Sequence, residues 1–284
     1  MLLTTIKKPY SYIVPLSRFP QTTTVYDNSG KEIKVVNEVP LTEIMPKGFS
    51  SVRKGKRNMS WRSDKPATLS YVIALDEGDQ ANKVAFRDEL FQWEAPFTSE
   101  ATSITKIQQR FSGMIWGNEN LAIVYDDWYD TRNTKTYLIN PSNPSQAPKI
   151  IFDRNSQDIY SDPGNFETKK NQFNREVLAI ENGNTYLIGD GNTKDGQFPF
   201  IDEFNLETLK SKRLYTSKMK DKKEDLLGIE DFKKGEVLVM IQSKNDYPNY
   251  YFRNIKSKDK LTQITFFANP FESIKDVYKE VIKY

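Results

Sequence analysis

The sequence concentrates positive charge around one tryptophan, Trp61. Three arginines, Arg53, Arg57 and Arg62, lie on either side of it. A guanidinium is a planar donor whose geometry matches a carboxylate, so these side chains are the candidate ligands for an acidic group. The competing interpretation is a solvated loop in which an arginine pairs with Asp64 or stacks on the indole ring.

The densest cluster of carboxylates is Asp126, Asp127 and Asp130, within the run YDDWYDTR. Paired carboxylates can hydrolyse a glycosidic bond, which makes a carboxylate glycosidase one hypothesis. Neighbouring residues of a strand point to opposite faces, however, so Asp126 and Asp127 cannot both face one substrate unless the strand has ended. The pattern therefore favours a turn at a strand end, with Arg132 as the salt partner.

A loop from Asp190 to Gly196 has the composition of a calcium loop. The position that needs a bidentate glutamate carries Ile201 instead, which excludes an EF-hand and indicates a turn. The sequence predicts no metal site and no cofactor.

Histidine and cysteine are both absent from the 284 residues. Without histidine the chain alone cannot supply an imidazole base, a histidine metal ligand or a Ser-His-Asp triad. Without cysteine it has no disulfide and no thiolate chemistry, and the redox compartment stays open.

The charges are mixed along the chain, with 41 basic and 38 acidic residues and a net charge of +3. Such a surface favours neither nucleic acid nor a membrane as a partner. No apolar run approaches the roughly 20 residues of a membrane span, and the apolar start is too short for a secretory signal. A cytoplasmic and an exported parent both remain compatible with the sequence.

Short runs of β-forming residues recur at the spacing of a repeated unit. The second unit contains a hairpin that ends one strand at Trp61 and places the next over Thr68–Leu75. Four antiparallel strands in a repeat of roughly 40–50 residues are typical of a β-propeller, with a β-sandwich as the structural alternative. We predict an all-β chain, a partial or open β-propeller of about four to five four-stranded blades.

The first unit has three predicted strands, Tyr10–Leu16, Thr22–Asp27 and Lys31–Val36, as if a longer protein had been entered partway. The fourth unit is predicted to begin with a strand over Glu176–Ile180. The predicted divisions are 1–38 for an incomplete blade, 39–109, 110–174, 175–219 and 220–268 for whole blades, and 269–284 for a connector. Apolar residues at helical spacing in the connector, from Phe271 to Ile282, predict one or two helical turns.

Five segments of the sequence resemble the glutamyl endopeptidase branch of the prolyl oligopeptidase family of serine peptidases. They are PYSYIVPLSRFP, SVRKGKRNMSWRSDKPATL, LAIVYDDWYDTRNTKTYLINP, IIFDRNSQDIYSDPG and PFIDEFNLET. The resemblance implies a β-propeller that covers an α/β-hydrolase domain carrying a Ser-Asp-His triad. This chain resembles only the later part of the propeller, and it contains neither a G-x-S-x-G elbow nor a histidine.

The resemblance implies a non-catalytic propeller fragment that gates the active site and helps to bind a peptide substrate, with no activity expected from the chain alone. Its expected partners are the hydrolase domain or the remaining blades, and its exposed blade faces predict self-association. The alternative of a different class is a free-standing propeller-like module that binds a peptide or protein. A neighbouring hydrolase with a G-x-S-x-G elbow would distinguish the two.

Overall fold

The computed structural model describes residues 1–257, 260–274, 277, 280 and 282. Over these residues the chain consists of β-strands, turns and three short 3-10 segments, Leu16–Arg18, Ile159–Ser161 and Glu272–Ile274. None of the described segments is a helix with the length and apolar character to span a bilayer. The chain forms two compact units, of which unit 1 comprises residues 1–157 and 168–178, and unit 2 comprises residues 158–167 and 179–284.

Blades 1 to 3 are antiparallel sheets of unit 1 in which consecutive strands are neighbours. Their strands are β1 (Leu2–Ile6), β2 (Gln21–Tyr26) and β3 (Glu32–Val39) in blade 1; β4 (Arg57–Trp61), β5 (Thr68–Ala74), β6 (Asp88–Glu94) and β7 (Thr102–Ile107) in blade 2; and β8 (Arg110–Asn118), β9 (Leu121–Trp128), β10 (Asn133–Ile139) and β11 (Lys149–Asn155) in blade 3. A chain of such meanders is the construction of a β-propeller.

Blade 4 and blade 5 belong to unit 2 with one small hairpin, whereas a second small hairpin, within residues 168–178, belongs to unit 1. The strands that follow in order are β12 (Asn165–Phe166), β13 (Thr168–Lys170), β14 (Glu176–Leu178), β15 (Asn184–Gly189), β16 (Asn192–Thr193), β17 (Gly196–Gln197), β18 (Phe200–Asn205) and β19 (Ser211–Thr216), then β20 (Lys223–Asp231), β21 (Glu236–Gln242), β22 (Asn249–Asn254) and β23 (Lys260–Gln263). Blade 4 is β12-β15-β18-β19, and blade 5 is β20-β21-β22-β23. Four four-stranded blades and one three-stranded blade confirm the predicted all-β, β-propeller class.

Each unit buries its core between the faces of successive sheets. In unit 1, Val72 and Leu90 of blade 2 pack with Trp116 and Tyr137 of blade 3. A second cluster joins blade 1 to the opposite face of blade 2 and includes Leu69. Strand alternation places these residues on buried faces, because side chains two apart along a strand share a face.

The first strand of blade 1 was predicted in the wrong place. Residues 10–16 form no strand, and β1 lies over Leu2–Ile6 in register with β2. Pro9 precedes the mispredicted run and Pro15 lies within it; neither can donate to a ladder, which disfavours a paired strand there. The predicted three-stranded meander is confirmed, and only the position of its first strand is wrong.

The predicted first strand of the fourth unit, Glu176–Ile180, is also wrong. Residues 176–178 are β14 and pair with β13, whereas β12 takes the first place in blade 4. The β13–β14 hairpin lies against β8 in unit 1. The guanidinium of Arg175 holds it there by donating to the carbonyl oxygens of Arg62 and Lys65, at 3.0 and 2.8 Å.

The predicted connector falls at the end of the described chain. Glu272–Ile274 forms a single 3-10 turn. Tyr278 and Val281, which completed the predicted helical pattern, lie outside the described residues.

Candidate carboxylate-binding pocket

Arg53 and Arg57 lie in one pocket of unit 1, which we call the arginine pocket. Its volume is about 390 Å³. Its lining comes from the 3-10 segment, the extended segment after β3 and the loop that leads into β4, and consists of Ser17, Arg18, Thr42, Met45, Ser51, Val52, Arg53, Arg57 and Asn58. Three of these residues are arginines and none is acidic, so the lining is cationic.

Backbone contacts hold the loop before β4 in place. The N–H of Val52 donates to the carbonyl oxygen of Gly78 at 2.9 Å, and the N–H of Ser50 donates to Oε1 of Gln80 at 2.9 Å. On the opposite wall, the N–H of Thr42 donates to the carbonyl oxygen of Arg18 at 2.9 Å. The pocket is therefore fixed by main-chain hydrogen bonds that do not depend on a ligand.

Arg57 reaches the pocket from a buried ion network. Its Nη2 lies 2.6 Å from Oδ1 of Asp88, which also accepts from Nη1 of Arg110 at 3.0 Å. Arg110 in turn contacts Asp76 at 2.6 Å, and Arg87 contacts the same carboxylate at 2.8 Å. Asp76 and Asp88 are both fully buried side chains, so the network immobilises Arg57 in a low-dielectric environment.

One donor of this network has no partner. Arg57 is 7% exposed, and its Nε forms no hydrogen bond within the described part of the chain. A buried donor without an acceptor costs about 1–3 kcal/mol. The Nε lies on a residue that lines the arginine pocket.

Arg53 is half-buried, and its Nη1 and Nη2 donate hydrogen bonds to the backbone oxygens of Lys54 and Lys56. Burial, and then the nearby charge of Arg57, lower the pKa of Arg53 below its usual value. Both causes act against a second positive charge in the pocket. A carboxylate bound between Arg53 and Arg57 would reverse that effect, since an opposite charge favours the protonated guanidinium.

Arg62 lies at the other end of β4 and does not line this pocket. It is 1% exposed, its Nε and Nη2 bind both oxygens of Asp64, and its Nη1 donates to Gln92. The guanidinium also stacks on Trp116, with 4.0 Å between Cζ and the ring centroid. The structure thus brings Arg53 and Arg57 together and separates Arg62 from them.

The carboxylate cluster does not converge on one point. Asp126 is fully buried and accepts hydrogen bonds from the N–H groups of Gln109 and Lys135 and from the hydroxyl of Tyr137. Asp127 faces the other side of β9 and is exposed. Asp130 lies in the following turn, where it accepts from Gln80. This arrangement supports a structural role for Asp126 within blade 3.

We expect Asp126 to make stability depend on pH. Burial raises the pKa of its carboxyl group from 3.8 to about 6. Between these values Asp126 binds more protons in the folded chain than in the unfolded chain, so its contribution to stability is greatest below about pH 4 and is lost as pH rises through 6, by on the order of 2 kcal/mol. Urea unfolding at pH 4 and pH 7 measures the fall, and Asp126→Asn should lack this part of it.

The control for this measurement is Asp195→Asn, which removes an exposed carboxylate from the β16–β17 turn. It should keep the pH dependence of the unmodified chain. An Asp126→Asn variant with an unchanged fall in stability would contradict the assignment.

The loop with the composition of a calcium site folds as the β16–β17 hairpin. Thr193 and Gly196 pair across it, and the hydroxyl of Thr193 donates to the carbonyl oxygen of Gly196 at 2.8 Å. The predicted turn is confirmed.

Sequence reasoning missed Arg18 and the acidic partners Asp76 and Asp88. A signal existed for Asp88, because strand alternation places it on the same face as Leu90, and a charged residue on a core face needs a buried partner. No comparable signal marked Arg18, which is distant in sequence from the rest of the pocket and reaches it only through the fold of blade 1.

The successive antiparallel sheets define this chain as a series of β-propeller blades. Over 302 aligned residues it is 37% identical to the probable chloroplastic glutamyl endopeptidase of Oryza sativa subsp. japonica, and over 303 residues 34% identical to that of Arabidopsis thaliana. Both alignments cover 100% of this chain but only 32% and 31% of the relatives, so it spans about a third of their length. The whole chain is therefore similar to one part of these two glutamyl endopeptidases, and the resemblance in its sequence is confirmed.

No family model matches the chain. Among solved structures it is similar to the β-propeller domain of the Trilobed protease from Pyrococcus furiosus, with 10% identity, a TM-score of 0.47 and coverage of 93% of this chain and 66% of that one. It is also similar to Porphyromonas gingivalis dipeptidyl peptidase 4, with 12% identity, a TM-score of 0.48 and coverage of 94% and 44%.

Proposed function

We propose that this chain is the non-catalytic propeller part of a glutamyl endopeptidase-like serine peptidase, in which it restricts access to the active site and helps to bind the peptide substrate. The relationship to two glutamyl endopeptidases over the whole chain supports the peptidase parent. The nucleophile and base would lie in a hydrolase domain, because this sequence has no histidine with which to complete a triad.

The arginine pocket is the observation that carries the substrate-binding part of this proposal. An acidic side chain entering it would meet the positive charges of Arg53, Arg57 and, on the opposite wall, Arg18. Arginine is suited to this task because it stays charged and binds carboxylates through two parallel hydrogen bonds. In this proposal Arg62 has a structural role, because its guanidinium already donates to Asp64 and Gln92 and stacks on Trp116.

Exposed apolar side chains suggest where the rest of such a peptidase would contact this chain. Several lie between β1 and β4, among them Tyr12, Ile13, Ile44 and Phe49. Isolated exposed apolar residues are common, but a concentration of large ones favours an interface. We assign them to contact with the hydrolase domain or with further blades, and the predicted self-association would use the same surface.

The test is peptide binding measured by isothermal titration calorimetry. A blocked peptide with one central glutamate should bind at least tenfold more tightly than the same peptide with glutamine, because only the carboxylate gains charge-assisted hydrogen bonds. Arg53→Ala should abolish this preference. Lys54→Ala is the matched control, since it removes an adjacent positive charge that is exposed and outside the pocket.

Equal affinity for the glutamate and glutamine peptides would overturn the substrate-binding role. Mass spectrometry of the same mixtures should show no cleavage, and turnover that persists through purification would contradict the non-catalytic assignment. The alternative of a free-standing binding module predicts the same binding but no neighbouring reading frame with a G-x-S-x-G elbow, so sequencing the flanking DNA separates the two.

A further inference from the structure

A second pocket of unit 1, the methionine cleft, lies between the first strands of blades 2 and 3. Its volume is about 350 Å³. It is lined mainly by apolar side chains and carries a few hydroxyls and one amide, from Asn58, Met59, Ser60, Ser70, Tyr71, Val72, Leu90, Ile104, Phe111, Gly113, Met114 and Trp116. The two thioethers are flexible and polarisable, which lets such a lining adapt to different apolar groups.

The methionine cleft and the arginine pocket meet at Asn58, which lines both. The register between β4 and β5 shifts between Arg57 and Ser60, so a β-bulge includes this residue. Asn58 has a φ of 51°, a left-handed conformation that asparagine tolerates better than most residues. The bulge exposes Asn58 between a cationic pocket and an apolar one, and bulges commonly redirect side chains in this way.

The strand that carries the bulge also has an unused edge. β4 is the first strand of blade 2, and β5 is its only hydrogen-bonded neighbour among the described strands. The equivalent strand of blade 3, β8, has β14 lying against it. An extended peptide can add to a sheet edge through main-chain hydrogen bonds, and β4 offers such an edge beside both pockets.

We infer that an extended peptide binds along β4 with an acidic side chain in the arginine pocket and a bulky apolar side chain, two residues away, in the methionine cleft. Side chains two apart on a strand share a face and lie about 6.6 Å apart along it, which suits two pockets that share one lining residue. This inference rests on the proposed function and narrows its substrate class to peptides that carry an acidic residue next but one to a large apolar residue.

The charge and polarity of the two pockets define that class. A carboxylate would pair with Arg53, whose donors otherwise bind only the backbone oxygens of Lys54 and Lys56, whereas a leucine there would cover this guanidinium without supplying an acceptor. In the methionine cleft, a leucine would contact Met59, Met114 and Trp116 and leave water. Each pocket therefore rejects the side chain that the other accepts.

The first arm of the test uses the unmodified chain and blocked hexapeptides in calorimetry. A peptide with the order Glu-Ala-Leu, or its reverse Leu-Ala-Glu, should bind about tenfold more tightly than Glu-Ala-Ala, because a leucine side chain is buried. Whichever order binds better gives the direction of the peptide along β4. Equal affinity with leucine and alanine, while glutamate is still preferred to glutamine, would overturn the inference and leave the proposed function intact.

The second arm fills the methionine cleft. Ser60→Leu places an apolar side chain on a lining residue that is exposed in β4. It should remove the leucine preference and keep the glutamate preference. Thr102→Leu is the matched control, since it makes a similar change at an exposed position of β7, the outermost strand of the same sheet.

Thr102→Leu should bind both peptides as the unmodified chain does. A Ser60→Leu variant that folds, as judged by its circular dichroism and melting temperature, and retains the full leucine preference would place the leucine elsewhere and overturn the assignment. Loss of the glutamate preference in the unmodified chain would instead overturn the proposed function itself.

Discussion

Replacing Asp88 by asparagine should lower the free energy of unfolding by about 4 kcal/mol, because removing one partner of a buried ion pair leaves the other charge uncompensated. Oδ1 of Asp88 accepts from Arg57 and Arg110, and its Oδ2 accepts from the N–H of Phe111 at 2.8 Å. Asparagine preserves the volume but removes the charge. Urea unfolding followed by tryptophan fluorescence measures the loss.

The double variant Asp88→Asn with Arg57→Met should recover part of that loss. It removes the guanidinium that depends most directly on Asp88, whereas Arg110 retains Asp76 as a partner at 2.6 Å. Glu100→Gln, at an exposed position between β6 and β7, is the control and should change stability little. A loss below about 1 kcal/mol in Asp88→Asn would mean that the network contributes little to stability.

This network also explains why the arginine pocket needs no ligand to form. Asp88 fixes the Nη2 end of Arg57, and Ser50 contributes its carbonyl oxygen to Nε of Arg110 at 2.6 Å. Ser50 directly precedes the pocket residues 51–53. The ion network and the wall of the pocket are therefore connected through hydrogen bonds. Because Arg57 is already ordered, ligand binding would not lose the entropy of ordering its side chain.

Strand periodicity was sufficient to predict most of the fold. The hairpin predicted from Trp61 and Thr68–Leu75 is β4–β5 in the structure, in which β4 alternates between more buried and exposed residues and β5 has no exposed residue. The same rule predicted that Asp126 and Asp127 face opposite sides of a strand, as they do in β9. Such local patterns are reliable where one face of a strand is buried.

Long-range contacts determined the elements that sequence patterns misplaced. Glu176–Leu178 has the composition of a blade strand, but Arg175 finds carbonyl acceptors more than 100 residues earlier in the chain, near Arg62. Nothing within residues 168–178 specifies that partner. The hairpin therefore lies in unit 1, although its sequence neighbours on both sides belong to unit 2.

The arginines show the same limit at the candidate site. Arg53 and Arg62 have the same chemistry and lie within one short stretch, yet only Arg53 lines the pocket. Their difference comes from tertiary contacts, since Trp116 of blade 3 covers Arg62. Composition predicts both residues as candidate carboxylate ligands. The packing of blade 3 against blade 2 is what buries Arg62 and leaves Arg53 in the pocket lining.

Gly78 contacts the backbone of Val52 in the wall of the arginine pocket, and Gly78→Ala should disrupt that wall. Gly78 has a φ of 77°, and a Cβ atom there would lie 2.0 Å from the carbonyl oxygen of Val52. Backbone cannot yield as a flexible side chain can, so Val52 and the adjoining Arg53 would have to move. We expect a loss of about 3 kcal/mol in the free energy of unfolding, from the steric overlap and the left-handed backbone together.

The displacement of Arg53 should also weaken binding of the glutamate peptide at least tenfold, because a shift of about 1 Å is enough to spoil a bidentate contact. Gly30→Ala is the matched control, with a φ of 84° and nothing within 4 Å of the added Cβ. It carries the same left-handed strain without the overlap, so it should cost about 1 kcal/mol and leave peptide binding unchanged. If both variants lost the same stability and Gly78→Ala still preferred glutamate to glutamine, then contact between Gly78 and Val52 would not be what shapes the pocket.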